Sequence, residues 1–409
     1  MSAPRETDLI HEWNVPETLP PWTCKLNDET LRDGLQSASA TNPPIADKLE
    51  ILHYMEDLGM YSAAIGLPAA GPQAYNDVLA IAAEISRHKM KIYPYCAART
   101  VESDIVPIID VTQKTGLRIQ AALFLFSSPI RQFAEGWDLD KLLDVVEKAV
   151  GFAHKNDVPV MFVTEDTTRS LPGTLERLYG LAIDMGVERV CIADTVGYAT
   201  PSGVHAVTAF LRGLVEKSGR DVGVDWHGHN DRGLALPNAL SAYFAGADRI
   251  HGTALGIGER VGNASIDQIM VNLRMAGVID NDLTRLPAYI RKVSEVCHVP
   301  IPDNYPVLGR DAFRTATGVH ADAIVKAYKK GDAWLANRIY SGVPADMFGL
   351  EQVIEVGPMS GKSNVRFWLD SHGVGATDEL VDAIFSLAKT AGHVLADDEI
   401  RAVIAGRKG

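Results

Sequence analysis

The sequence predicts an α/β fold: a (β/α)8 TIM barrel followed by a smaller, mostly helical C-terminal domain. Three observations carry that prediction. From about Trp22 to Gly277, short β-rich runs alternate with longer amphipathic ones, the mark of βα units and a parallel sheet. Eight such pairs occupy a stretch of roughly 250 residues, the size at which eight strands close into a barrel. After Gly277 the rhythm changes, first to sequence rich in proline and turn residues and then to helices. The expected divisions are therefore an N-terminal extension over 1–21, a barrel over 22–279 and a helical part over 280–409. A doubly wound open sheet is the alternative for the first of the two large parts.

The strands read, in order, as TCKLND, YSAAIG, MKIYPYC, LRIQAALFL, VPVMFV, RVCIAD, VGVDWHGH and DRIHGTA. Between them lie stretches such as IADKLEILHYMEDLG, AYNDVLAIAAEISRHK, LDKLLDVVEKAVGFAHKN and TPSGVHAVTAFLRGLVEKSG, whose apolar residues recur at the three- and four-residue spacing of a helix. Beyond the barrel, HADAIVKAYKKGDAWLANRIY reads as an exposed amphipathic helix pair, and SHGVGATDELVDAIFSLAKTAG as a turn followed by a helix.

Composition narrows the function. The 409 residues are 46% apolar and carry a net charge of −13 with no basic, aromatic-interleaved run, which argues against a nucleic-acid partner. No window reaches the roughly 18 consecutive apolar residues of a membrane helix, and the N-terminus lacks a signal-peptide profile, so a cytoplasmic protein without membrane association is expected. Cys24, Cys96, Cys191 and Cys297 have no CxxC spacing and read as reduced core residues.

The chemistry is concentrated at strand ends. His227 and His229 lie two apart on the seventh strand, so both imidazoles project from one face and can reach one cation; a pair of core histidines is the alternative. Asn230 and Asp231 follow as candidate orienters of the rings. In LNDETLRDGLQ, Asp33 could be a carboxylate ligand and Arg32 a clamp for a substrate carboxylate. Otherwise Asn27 caps a one-turn helix that Gly34 ends. HGTALGIGERVGN, after the eighth strand, does not have the glycine spacing of a dinucleotide site, which leaves hydride transfer a weak rival. Glu165 and Thr195 close the fifth and sixth strands. Separate strand ends thus carry polar residues where a barrel gathers its active site.

At this point the chain resembles the acyl-CoA-dependent Claisen-condensing synthases, the 2-isopropylmalate, homocitrate and citramalate synthases, and their relative hydroxymethylglutaryl-CoA lyase. DETLRDGLQ, HGHNDRGLALPNALSAYFAGA and GIGERVGN carry the resemblance, which extends to about Gly361. It implies a divalent metal (Mg, Mn or Zn) on Asp33, His227 and His229, with Asn263 completing or supporting the set. Arg32 would stabilise the developing alkoxide, Thr195 and Gln36 would bind the 2-oxo acid, and Glu165 would be an active-site carboxylate. In ATGVHADA, His320 matches the synthases' proton-transfer histidine, and Tyr340 resembles the tyrosine that accompanies it.

The implied activity is condensation of acetyl-CoA with a 2-oxo acid, 2-oxoisovalerate foremost, followed by thioester hydrolysis, in a homodimer engaged in amino-acid biosynthesis. A homocitrate- or citramalate-type substrate and a carbon–carbon lyase are the alternatives. Against the lyase, the loop after the eighth strand lacks the cysteine that those enzymes carry there. Three departures from the 2-isopropylmalate pattern remove polar groups from the oxo-acid pocket: Ala64 in place of a glutamate, Val163 two residues before Glu165, and no histidine in LRIQAALFLFSSPIRQ. The sequence after Lys362 is too short for a leucine-type regulatory domain, so weak or absent leucine feedback is expected.

Overall fold

The computed structural model describes residues 9–14 and 19–407. Eight parallel strands, β1 (Lys25–Asp28), β2 (Ser62–Gly66), β3 (Tyr93–Arg99), β4 (Gln120–Phe126), β5 (Val160–Glu165), β6 (Arg189–Asp194), β7 (Gly223–Gly228) and β8 (Arg249–Gly252), form a closed barrel. Closure is made by β1 against β8, Lys25 opposite Arg249 through Asp28 opposite Gly252. Each strand overlaps a run read from sequence, with β3, β4 and β5 continuing one to three residues beyond it, and the open-sheet alternative is excluded.

The surrounding helices follow their apolar stripes. Helix Leu139–Lys155 starts where the Asp138 side chain accepts from Lys141 N–H, and it buries Leu142, Val146, Ala149, Val150 and Ala153. Helix Pro72–His88 begins on a proline at its first turn and ends on Lys89 in the left-handed region.

Side chains fill the barrel rather than leaving a pore. Towards its N-terminal end lies a buried ionic knot. Arg249 holds Asp225 at 2.5 Å, Arg189 reaches Asp225 at 2.5 Å, and Arg189 also bonds Asp248. Above it Ala64, Tyr95, Ala122, Met161 and Cys191 make one apolar cluster.

The chain divides into two compact units, Met1–Val299 and Pro300–Gly409. Helix Leu286–Cys297 thus falls in the first unit, although the sequence boundary at 280 places it in the second. The reason is a polar anchor: Tyr289 donates to Asp28 Oδ2 at 2.6 Å and lies 3.0 Å from the Thr30 hydroxyl. The second unit is mostly helical. Helices Gly318–Lys329 and Ala333–Arg338 match the expected pair, but they bury Ala321, Ile324, Val325, Ala327 and Ala336 instead of standing exposed. Helices Lys362–Ser371, Asp378–Thr390 and Asp397–Ala405 build a second core around Trp368, Leu369, Ile384 and Ile400.

Candidate active site

The C-terminal ends of β7 and β1 bring three ligand atoms together. His227 Nε2 and His229 Nε2 are 3.2 Å apart, and Asp33 Oδ2 lies 3.4 and 3.6 Å from them. Donors about 2.1 Å from a shared ion in tetrahedral or octahedral geometry stand roughly 3.0–3.4 Å apart, close to this spacing. Asp33 Oδ2 and Asn263 Oδ1 are buried and accept no hydrogen bond, so the donor chemistry also fits a cation. Asn263 is fixed beside them by a bridge to His229 and by donation from Nδ2 to the Ile257 carbonyl at 3.1 Å.

The backbone that delivers Asp33 differs from the helix the sequence suggested. Asn27 is inside β1, accepting from Ser62 and donating to Tyr95, and Gly34 opens a short 3₁₀ turn rather than ending a helix. A Cβ at Gly34 would approach Ile257 Cγ1 at 3.1 Å, so this position favours glycine for closeness. In the loop after β8, Gly262 has φ of +89°, and a side chain there would collide with the Gly256 carbonyl.

Asn230 and Asp231 do not orient the histidines. Asn230 Oδ1 accepts from Ala235 N–H at 3.1 Å, while Asp231 pairs with Arg260 at 2.8 Å. That orienting task falls to Glu29, a residue not singled out from the sequence. Its Oε2 is 2.7 Å from His227 Nδ1, which leaves Nε2 to face the cluster. Glu29 also meets Arg32 at 3.0 Å, His251 Nδ1 at 3.1 Å and the Tyr95 hydroxyl. His251 Nε2 continues to Asp225 at 2.8 Å, joining the site to the ionic knot. Burial alone would raise the Glu29 carboxyl, but Arg32, His227 and His251 together hold it well below the usual range. His229 has no such carboxylate on its second nitrogen, and burial, followed by the charge of His227, pushes it down. The signal for Glu29 was available: it continues the period-two alternation of Asn27 on β1.

These groups line a cavity of about 270 Å³. Arg32, Asp33, Gln36, Glu165, Thr195, His227 and His229, the candidates named from the sequence, all line it, and Glu259 joins them. Burial raises the Glu165 carboxyl, with Arg131 opposing and Asp166 adding to the shift. Thr195 Oγ1 accepts from Asp166 N–H at 2.8 Å. The remaining lining is apolar: Leu67, Ala97, Ala122, Phe124, Met161, Val163 and Ala193. His320 and Tyr340 lie in the second unit, their rings stacked at 4.2 Å.

A closed barrel whose strand ends present two histidines and a carboxylate beside an arginine defines a class of protein, a barrel with a candidate metal centre at its mouth. The chain belongs to the HMGL-like family, whose profile matches residues 23–293. It is similar to the homocitrate synthase AksA of Methanopyrus kandleri, 29% identical over 96% of this chain and 92% of that protein. It is 30% identical to the 2-isopropylmalate synthase of Enterobacter sp. over 92% of this chain and 71% of that one. Among solved structures, the HMG-CoA lyase of Bacillus subtilis aligns with a TM-score of 0.58 at 19% identity, covering 70% of this chain and 97% of that one, a likeness of fold. Among the described residues, no helix is long and apolar enough to cross a membrane.

Proposed function

We propose that the protein condenses the acetyl group of acetyl-CoA with a 2-oxo acid of apolar side chain, in the manner of a 2-isopropylmalate synthase, and releases CoA by thioester hydrolysis. One observation carries this reading: a single cavity sets Arg32 and the Asp33, His227 and His229 cluster against Ala97, Ala122, Val163 and Ala193. The first group suits a 2-oxo carboxylate, and the second offers no partner to a charged side chain. The names of the two synthase relatives support the same class.

Asp33, His227 and His229 would hold a divalent cation (Mg, Mn or Zn), with Asn263 Oδ1 as a further oxygen. Bound there, it would act as a Lewis acid on the keto group. Glu29 fixes the His227 ring so that Nε2 is the nitrogen offered. Arg32, whose Nε lacks a partner, would stabilise negative charge on the former keto oxygen. Thr195 and Gln36 would hold the substrate carboxylate. Glu165, whose carboxyl burial raises, lines the same cavity and would return a proton to the substrate. We assign proton removal from the acetyl methyl group to His320, with Tyr340 stacked on it as its positioning partner. The enolate carbon then bonds the keto carbon, and water cleaves the thioester to a carboxylate and free CoA. A homodimer is expected, to be checked by light scattering.

The test is a thiol-release assay with acetyl-CoA against pyruvate, 2-oxobutyrate, 2-oxoisovalerate, 2-oxoglutarate and an aromatic 2-oxo acid. Release is expected with the apolar members and not with 2-oxoglutarate; silence across the panel, or a preference for 2-oxoglutarate, overturns the proposal. Likeness of fold to HMG-CoA lyases favours one second reading, carbon–carbon cleavage of a 3-hydroxy-3-methylacyl-CoA. Acetyl-CoA formation from such a thioester, retained in His320→Ala, would establish it.

A further inference from the structure

A second convergence of ligand atoms lies on the outer layer of the barrel, away from the cavity. Helix Ile45–Asp57 carries His53, and helix Pro72–His88 carries Glu84 and, one turn on, His88. His53 Nε2 lies 2.8 Å from Glu84 Oε1, and His88 Nε2 lies 3.1 Å from the same oxygen. All three atoms fall within 4.8 Å of one another. The two rings stand nearly perpendicular, at 86° with centroids 5.1 Å apart, instead of stacking. Donors bound to one ion at about 2.1 Å are themselves roughly 3.0–3.4 Å apart, so small side-chain adjustments would seat a cation here.

Three further observations favour a cation over an ion pair alone. The Arg87 guanidinium takes Glu84 Oε2, which leaves Oε1 as the oxygen that faces both imidazoles. Glu84 is only 6% exposed, whereas the two histidines over it are about half exposed and open to an incoming ion. Neither Nδ1 atom is hydrogen-bonded to the protein among the described residues. Each ring can therefore move its proton to Nδ1 and offer the Nε2 lone pair to a metal with no net change of charge. Position adds to this. His88 is the last residue of its helix and His53 stands four residues before the end of the other, so two helix C-termini, each the negative end of a macrodipole, flank the cluster.

We propose that His53, Glu84 and His88 form a second metal site, which takes a divalent transition ion, zinc by its preference for imidazole with carboxylate, and clamps the ends of the two helices together. Imidazole nitrogens select against magnesium and calcium, which take oxygen ligands. Water completes the coordination on the exposed side. Because the histidines are half exposed and Arg87 already offsets the charge of Glu84, the ion exchanges and is held only while free zinc is present. The site lies outside the cavity, so the proposed reaction does not use it.

The experiment is equilibrium dialysis of the full chain against micromolar free zinc, with the zinc bound per chain as the readout. The wild type is expected to hold one more zinc than His88→Ala. Asp33→Ala is expected to keep that additional ion, which separates this site from the cluster at the barrel mouth. His88 is exposed at the end of its helix, so His88→Ala should fold normally by circular dichroism and release thiol at the wild-type rate. His53→Gln, on the other helix, should lose the same ion. Free zinc should raise the melting temperature of Asp33→Ala but not that of the double variant Asp33→Ala with His88→Ala. Equal zinc content in the wild type and a folded His88→Ala, or displacement of the additional ion by equimolar magnesium, would overturn the proposal and leave the three side chains a hydrogen-bonded helix contact.

Discussion

Strands β7, β8 and β1 furnish the barrel interior with Asp225, His227, Arg249, His251 and Asn27, whereas β3 to β6 furnish it with Ala97, Ala122, Met161, Val163, Cys191 and Ala193. On the first side the polar side chains form a chain of contacts: His227 to Glu29, Glu29 to His251, His251 to Asp225, and Asp225 to two arginines. On the second side the contacts are mostly apolar and non-directional, the Tyr95 hydroxyl and, deeper, Arg189 being tied to the polar side. Bonded, buried networks fix geometry, which a metal cluster needs to well under an ångström, at a desolvation cost that packing elsewhere must offset. Apolar walls fix only volume, so they can be altered without disturbing the chemistry opposite. The comparison predicts that substitutions on the polar side abolish or destabilise, and that those on the apolar side retune.

The largest effect should come from the cluster itself. Asp33→Ala or His227→Ala should remove bound divalent metal, measured by elemental analysis after dialysis, and lower thiol release by a factor on the order of 10³ or more. A variant with full metal content and turnover would remove these residues from the site.

Next comes the ionic knot beneath it. Asp225→Ala leaves Arg249 buried without its carboxylate and should cost about 3–5 kcal/mol in urea unfolding. Burial pushes the Asp225 carboxyl up, but Arg189 and Arg249 overcome it and hold the group well below the usual range. A depressed carboxylate contributes stability above its unfolded pKa of about 4 and loses it as pH falls below that value. The wild type should therefore lose stability below about pH 4, and Asp225→Ala should lose less. Equal acid sensitivity in the two proteins would place the titrating group elsewhere.

A smaller effect is expected one step from the ligands. Glu29→Gln keeps the shape but weakens the acceptor that orients His227, and should reduce metal affinity 10- to 100-fold in a chelator competition. An unchanged affinity would mean that packing alone holds the ring.

The contrast between the two sides explains what could be read from the sequence. All eight strands were legible because parallel strands covered on both faces are short apolar runs between turn signals. His227 and His229 were legible because period two on a strand places them on one face whatever surrounds it. Glu29 was not, because its role depends on His227, 198 positions away in the chain, and a glutamate after a strand is usually the first turn of a helix. The same holds for helix Leu286–Cys297, whose assignment to the barrel rests on the Tyr289 hydroxyl finding Asp28, a contact with no local signature. His320 and Tyr340 were found only through resemblance, since neither carries a spacing that implies chemistry by itself.

The smallest predicted effect tests the apolar side. Ala122 is buried and lines the cavity, and its methyl side chain can bond neither the histidines nor Glu29. In Ala122→Leu the added carbons project into a cavity of about 270 Å³ rather than into packed core, so the melting temperature should move little. Under the proposed function, the space lost would be that of the substrate's own side chain. The kcat/KM for the bulkiest accepted 2-oxo acid should fall about tenfold, while that for pyruvate changes by less than about threefold, because a misfit of a few methylenes is worth only one or two powers of ten. If both substrates fall together, the apolar side is coupled to the charged one and the division of labour between them fails; if neither falls, the oxo-acid side chain lies elsewhere in the cavity.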